Sequence, residues 1–405
     1  MRSFKQFHLN SQLLTEAKAN THLTHLEELV LTKGEKGYAT ARGFITDLLS
    51  HLQGKSKRKI GTTVKWDGAP AMFVGKHPDT GKFFVGTKSI FNKEPKINYT
   101  ENDVELNHGH APGLSDKLKK ALKYLPKLGI KNILQGDFMF DSSTLQKEVI
   151  DGVSHYTFKP NTIKYAVEVD SALGQKIGSS VFGIIFHTEY DNLESGASFG
   201  AKVNNLKGVP GVWVDDAFFK DDTGVVTLTT DEVKQIKDYV KTADSIKVKY
   251  KDLPLDLLNV YVNSEIRGGK FLENAEDSYN NFVLWIKNRM GKEIDKRKSV
   301  KGKERIKESF KKKLAEIESS ENHIVNVFKV SKLLSQAKQI FINKYNNAVY
   351  TTKHFIDAGD GTLKVTAPEG YVSISRDGNA VKLVDRLEFS RANFSGGQTS
   401  TPATK

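Results

Sequence analysis

The sequence predicts an α+β protein in which antiparallel sheets flanked by helices are interrupted by a mostly helical insertion. Three observations predict it. Between residues 61 and 187, short apolar runs rich in β-branched and aromatic residues alternate with Gly, Pro and Asp turns. From about residue 193 to 355 the pattern changes to Lys- and Glu-rich stretches with apolar residues at helical spacing. Strand-like runs then return between residues 362 and 389, too few to form a core alone, so they are expected to complete the first region.

Taken in order, residues 21–53 read as two helices, with Leu23, Leu26, Leu29 and Val30 at helical spacing, then Phe44, Ile45, Leu48, Leu49 and Leu52. Residues 62–65, 71–75 and 83–87 read as strands, the last two separated by the turn His77-Pro78-Asp79-Thr80-Gly81. A helix is expected at 115–128 and strands at 132–140, 154–158, 163–169 and 181–187. Helices follow at 230–241, 274–290 and 303–345, then strands at 362–366, 371–375, 380–384 and 386–389. The expected organisation is a β-rich first part at 17–192, a basic helical insertion at 193–355, closing strands at 356–394 that complete the first part, and a disordered tail at 395–405.

Composition narrows the class. The chain has 405 residues, 38% hydrophobic and 10% aromatic, enough to bury a core and more than one average domain. Its longest apolar runs are too short to cross a bilayer, and its first residues lack the apolar stretch of a secretory signal. There is no cysteine, which excludes disulfides and thiolate zinc sites and points to a reducing compartment such as the cytoplasm. A formal charge of +13 points to a polyanionic partner. The excess is concentrated: residues 286–313 carry 13 Lys/Arg against 4 acids, including Lys296-Arg297-Lys298 and Lys311-Lys312-Lys313. Most of these cations lack an acid at i±4, so contact with a nucleic-acid backbone stands level with a simply solvated helix face as the reading of this run.

The run Lys65-Trp66-Asp67-Gly68 ends a strand and precedes Ala69-Pro70. It is followed in order by Thr87-Lys88-Ser89, Gln135-Gly136-Asp137-Phe138, Val181-Phe182-Gly183-Ile184-Ile185-Phe186, Pro368-Glu369-Gly370-Tyr371-Val372 and Ala380-Val381-Lys382-Leu383-Val384. This series resembles the ordered motifs of the covalent nucleotidyltransferase superfamily, the ATP-dependent DNA and RNA ligases and capping enzymes. The resemblance covers about 62–187 and 368–389. It departs from the family in three places. Asp137 stands where glutamate is usual, Val384 replaces a second lysine, and the gap from Phe186 to Glu369 is unusually long.

The resemblance implies a ligase-type adenylation domain and an ATP-dependent polynucleotide ligase, with RNA favoured over DNA. Lys65 would be the nucleophile that becomes adenylylated and Lys382 would neutralise charge on the phosphates. Val64, Asp67, Gly68 and Lys88 would surround the nucleotide, Phe182 or Phe186 would stack on the base, and Asp137 and Glu369 would hold Mg²⁺. Attack requires a neutral amine, which neighbouring cations and a dry pocket favour. Carboxylate oxygens suit a magnesium ion that bridges to phosphate. Arg386 or Arg391 would replace the missing second lysine. About twenty residues follow the closing lysine motif, too few for an OB-fold, so the basic insertion would grip the nucleic acid. Whether ATP or GTP is used stays open, as does the acceptor.

The first residues, Met1-Arg2-Ser3-Phe4-Lys5-Gln6-Phe7 with Leu14-Thr15-Glu16, resemble head-targeting segments of large tailed phages. That resemblance implies a propeptide at 1–16, cut after Glu16 by a head-maturation protease, and packaging in the virion head. The run from Lys65 to Ala71 also resembles proteins of such phages. The alternative is therefore a virion or internal head protein of ligase-like fold that binds nucleic acid without catalysis, or a transferase acting on another acceptor. A monomer is expected. Gly54-Lys55-Ser56 lacks the preceding glycine and strand of a P-loop, and His108-Gly109-His110 has no carboxylate at ligand spacing.

Overall fold

A computed structural model describes residues 23–53, 55, 61–194, 196–219, 226–347, 353–357, 363–366, 368–375 and 377–387. It is a mixed α+β protein that divides into two compact units. Unit one comprises Met1–Leu23, Gly61–Gly224 and Val349–Ala380; unit two comprises Thr24–Ile60, Val225–Ala348 and Val381–Lys405. The first helix, α1 (Leu29–Leu52), thus belongs to unit two.

Unit one contains β1 (Gly61–Lys65), β2 (Ala71–Lys76), β3 (Phe83–Gly86), α2 (Glu101–His108), α3 (Pro112–Tyr124), β4 (Ile133–Asp141), β5 (Gln146–Ile150), β6 (Val153–Phe158) and β7 (Lys164–Glu168). It continues with α4 (Ala172–Gly178), β8 (Phe182–Tyr190), β9 (Ser198–Phe199), β10 (Val212–Asp216), β11 (Lys353–Asp357), β12 (Leu363–Val365) and β13 (Gly370–Ile374). A six-stranded sheet runs β10-β8-β4-β2-β3 with β9 beside β8, antiparallel except for the parallel β10–β8 pair. A five-stranded antiparallel sheet runs β12-β11-β7-β6-β5. β1 pairs antiparallel with β13, bringing Lys65 opposite Gly370.

Alternation along the strands decides what each face meets. Phe138, Phe182, Ile184 and Phe186 pack with Val104 of α2 and Leu118 and Ala121 of α3. Met139, Ile185 and Trp213 pack with Phe158 and Tyr165 of the five-stranded sheet. Sequence punctuation accounts for several boundaries. Thr100 caps α2 in a capping box with Asp103, Pro112 starts α3, and Asp151-Gly152 makes the two-residue turn between β5 and β6 with both φ values positive.

Unit two is helical: α1, α5 (Thr230–Ser245), α6 (Leu255–Arg267), α7 (Ala275–Asp295), α8 (Val300–Ser319) and α9 (Glu321–Asn346), with most of β14 (Ala380–Leu383). Two helices were expected here, and α1 consists of two helical segments joined by a kink at Gly34, which at φ 56° and ψ −129° takes a conformation closed to other residues. Its apolar side, including Phe44, Ile45 and Leu48, is buried. α9 packs on α1, α5 and α7 and is the core of the unit. Lys338 of α9 pairs with Glu27 at 2.8 Å, both fully buried, and donates to the Val384 carbonyl at 2.7 Å.

This partition differs from the expected one. Residues 24–60 join the helices because the apolar stripe of α1 is complementary to α9, a long-range match that no local pattern reveals. Val212–Asp216, inside the expected insertion, is instead strand β10 of unit one. The strand expected at 386–389 does not form over its described residues: Arg386 and Leu387 are helical. The segment 1–16, its Glu16, Arg391 and the tail at 395–405 lie outside the described residues. No helix among the described residues is long and apolar enough to cross a membrane.

Candidate functional site

Strand β1 delivers Lys65 at its C-terminal end, and the β1–β13 register sets Glu369 beside it. The Lys65 Nζ forms an ion pair with Glu369 Oε1. The Glu369 side chain is only 8% exposed. Burial pushes its carboxyl above the usual range; the Lys65 charge pulls it down, and the carboxylates of Asp67 and Asp137 push it up again. Three acids and one amine thus share a confined region within unit one.

The loop after Lys65 is fastened from several sides. Asp67 is buried, and its carboxylate accepts from Asn161 Nδ2 at 2.7 Å and from the backbone N–H groups of Thr162 at 2.7 Å and Ile163 at 2.8 Å. Its own N–H donates to the Tyr165 hydroxyl at 2.7 Å. Burial raises the Tyr165 phenol well above its ordinary range, so it stays protonated. The Trp66 ring lies 5.1 Å from Tyr165 and 5.9 Å from His354. Gly68 must be glycine: an added Cβ would stand 2.4 Å from the Asp137 Cβ and 2.9 Å from the Phe138 carbonyl oxygen. That close approach lets Ala69 N–H donate to Phe138 O at 3.1 Å, and Phe138 N–H to Pro70 O at 3.1 Å. Lys117 of α3 donates to Ala69 O at 3.2 Å over the Phe138 ring, and burial lowers its amine.

Asp137 stands on β4 opposite Ala71 of β2 and Ile185 of β8. Its Oδ2 lies 3.7 Å from Nε2 of His187, whose Nδ1 is 2.7 Å from the Thr188 hydroxyl. Among the described residues, no three His, Asp or Glu side chains converge closely enough to hold a metal between them.

Several expected residues sit elsewhere. Phe182 and Phe186 are fully buried under α2 and α3, on the sheet face opposite Ile185 and Asp137, so neither ring is presented to a base there; the sequence period placed both on one face but could not say which face the helices cover. Asp67 engages both oxygens with the 161–163 loop and acts as a buckle. Val64 is buried and its N–H donates to Ala217 O at 2.7 Å. Lys88 is exposed at the start of a 3-10 turn, Lys88–Phe91. Lys382 belongs to unit two, where its N–H donates to Thr24 O at 3.0 Å. Arg386 is committed to Glu28 at 2.8 Å and to Asn263. Lys296, Arg297 and Lys298 are exposed at the end of α7, Lys296 pairing with Glu293 at 2.7 Å. Lys311, Lys312 and Lys313 are exposed on α8, a helix with Ile317 as its one buried residue.

Sequence reasoning missed Asn161, Tyr165, His187 and Lys117. Asn161 follows Pro160 in a turn-like stretch, the one local signal available; the others lie in ordinary strand and helix patterns.

Fold and site define an α+β protein with a lysine–carboxylate centre on the β1–β13 pair. The chain belongs to DUF6267, a family of unknown function, whose model matches residues 20–398. No curated protein and no solved structure matches it.

Proposed function

We propose that unit one is a ligase-type adenylation domain and that the chain is an ATP-dependent polynucleotide ligase, RNA favoured over DNA, acting through a lysyl-AMP on Lys65. The observation that carries the reading is the Lys65–Glu369 pair with Asp137 nearby. Three residues more than 60 positions apart, singled out in the order of one family's motifs, are grouped by β1, β4 and β13.

In this reading Lys65 Nζ, once it has surrendered a proton, attacks the α-phosphorus of ATP. The N–P bond forms, the bond from the α-phosphorus to the bridging oxygen breaks, and pyrophosphate departs with the electron pair. Glu369 is placed to take the proton: it touches the amine, and burial favours its neutral form. Asp67 and Lys117 keep the loop in place from beneath, which limits the motion of the nucleophile. AMP then passes from Lys65 to a 5′-phosphate end, and a 3′-hydroxyl displaces it to close the strand.

The partly exposed Asp137 carboxylate fits a divalent cation that keeps most of its ligands as water and phosphate oxygen, since no three-residue cage is present among the described residues. Asp137 would hold it. When bound, Mg²⁺ would draw negative charge from the α-phosphate and pyrophosphate. The exposed cations of α8 favour a second reading, nucleic-acid binding without catalysis.

The test is transfer to an end. 5′-Phosphorylated RNA and DNA strands incubated with ATP, Mg²⁺ and the protein are expected to give 5′-adenylylated strands and joined product, more on RNA. Lys65→Ala should give neither. Adduct on the protein without transfer to either strand would overturn the polynucleotide acceptor.

A further inference from the structure

We infer that His187 is a ligand of the divalent cation, paired with Asp137, and that its nitrogen tilts the position toward Mn²⁺ over Mg²⁺. The inference rests on the nucleotidyltransferase reading for its purpose, but its geometry stands alone. His187 Nε2 and Asp137 Oδ2 are 3.7 Å apart, too far for a hydrogen bond. Two ligands with bonds of about 2.1 Å to one ion lie about 3.0 Å apart at a right angle and about 4.2 Å apart when opposite. The observed separation falls between these limits, so a single ion can touch both atoms without rearranging either strand.

The imidazole is already oriented. When Nδ1–H donates to the Thr188 hydroxyl at 2.7 Å, Nε2 keeps its lone pair and faces Asp137, the usual arrangement by which a second hydrogen bond fixes a metal-binding histidine. Both residues sit on neighbouring strands of the central sheet: Asp137 of β4 is paired with Ile185 of β8, and His187 occupies the β-bulge of β8 between Phe186 and Thr188. His187 is 27% exposed at its side chain, which leaves a path for the ion and for its remaining water or phosphate ligands. Asp137 in turn abuts Gly68, three residues from Lys65, and its charge is felt by Glu369. An ion at this position therefore lies within unit one, in the neighbourhood of the nucleophile.

The donor set decides the metal. Mg²⁺ favours oxygen and gives up its water reluctantly, whereas imidazole suits later first-row ions. Mn²⁺ shares the oxygen preference of Mg²⁺ but belongs to the first-row series that also takes imidazole, so one carboxylate plus one imidazole weakens Mg²⁺ relative to Mn²⁺.

The experiment titrates the full chain with Mn²⁺ alone, without nucleotide, reading free Mn²⁺ by electron paramagnetic resonance and repeating the titration against Mg²⁺. Wild type is expected to bind one Mn²⁺, displaced only by a large excess of Mg²⁺. His187→Ala should weaken Mn²⁺ at least tenfold, and His187→Asp should restore binding with the preference shifted toward Mg²⁺. Thermal melting of each variant separates loss of the ligand from loss of the fold. Unchanged Mn²⁺ affinity in folded His187→Ala, or no Mn²⁺ bound by wild type at millimolar concentration, would overturn the inference. Mn²⁺ binding that depends on His187 without any nucleotide adduct leaves the inference standing and removes the transferase reading. Adduct formation with Mn²⁺ affinity indifferent to His187 does the reverse.

Discussion

Replacing Asp67 should do more damage to the architecture of the site than replacing the nucleophile itself. Its carboxylate is 5% exposed at the residue level and accepts three hydrogen bonds, from Asn161, Thr162 and Ile163. A hydrogen bond to a charged group contributes about 1.5–3 kcal/mol, and donors left buried without an acceptor carry their full desolvation cost. The three bonds share one side chain and are not additive, so Asp67→Ala is expected to cost about 3–5 kcal/mol. Asp67→Asn keeps the shape but turns an N–H₂ toward at least one donor, and should cost nearly as much. The cost is local, which makes amide hydrogen exchange the suitable assay. At about 1.4 kcal/mol per power of ten, the Thr162 and Ile163 amides should exchange about a hundred- to a few thousandfold faster. Helical amides of unit two should be unaffected. If the 162 and 163 amides exchange within a few-fold of wild type, Asp67 is not the buckle described and must be free for another role.

Three further outcomes are expected. His354 is 4% exposed, and burial lowers its imidazole to about 4, below the roughly 6.5 of an unfolded chain. The unfolded state then binds the proton first, so stability should be full above about pH 6.5 and fall by roughly 3 kcal/mol as pH drops to about 4. Denaturation of His354→Gln measured across that range should lack this component. In unit two, Lys338→Met leaves buried Glu27 with only the more distant Arg386 guanidinium, at 3.8 Å, and should cost about 3–5 kcal/mol, whereas Lys338→Met with Glu27→Leu should recover much of it, read by urea denaturation. On α8, replacing Lys311, Lys312 and Lys313 by Glu should leave melting nearly unchanged and lower the slope of log affinity against log salt for duplex nucleic acid by up to about 3.

How much of this was legible in the sequence depended on whether the signal was local. β1, β2, β4 and β13 were visible because each carries a short apolar run ended by Gly, Pro or Asp, and the same punctuation carries Lys65, Gly68, Asp137 and Glu369. Gly68 needed the structure only to show what it avoids, the Asp137 Cβ. Phe182 and Phe186 illustrate the opposite case. Period two put them on one face with certainty, but the face became a core wall because α2 and α3 cover it, and α2 with its short polar sequence had not been anticipated. β5 was also missed, although Asp151-Gly152 is a strong hairpin signal; its Lys and Glu residues hid the strand because it lies at an exposed sheet edge. Asn161, Tyr165 and His187 act through partners 94, 98 and 50 positions away in sequence, as the numbering of Asp67 and Asp137 shows, and no local pattern encodes such pairings. The assignment of α1 to the helical unit failed for the same reason: its stripe is readable, its partner α9 is not.

The most direct measurement is the intact mass of the protein, followed by peptide mapping, after incubation with ATP and either Mg²⁺ or Mn²⁺. The account predicts one AMP per chain, acid-labile as a phosphoramidate is, located on the peptide that contains Lys65 and absent from Lys65→Ala while that variant melts like wild type. No adduct with any nucleotide or metal, or an adduct that persists when Lys65 is removed, would contradict it.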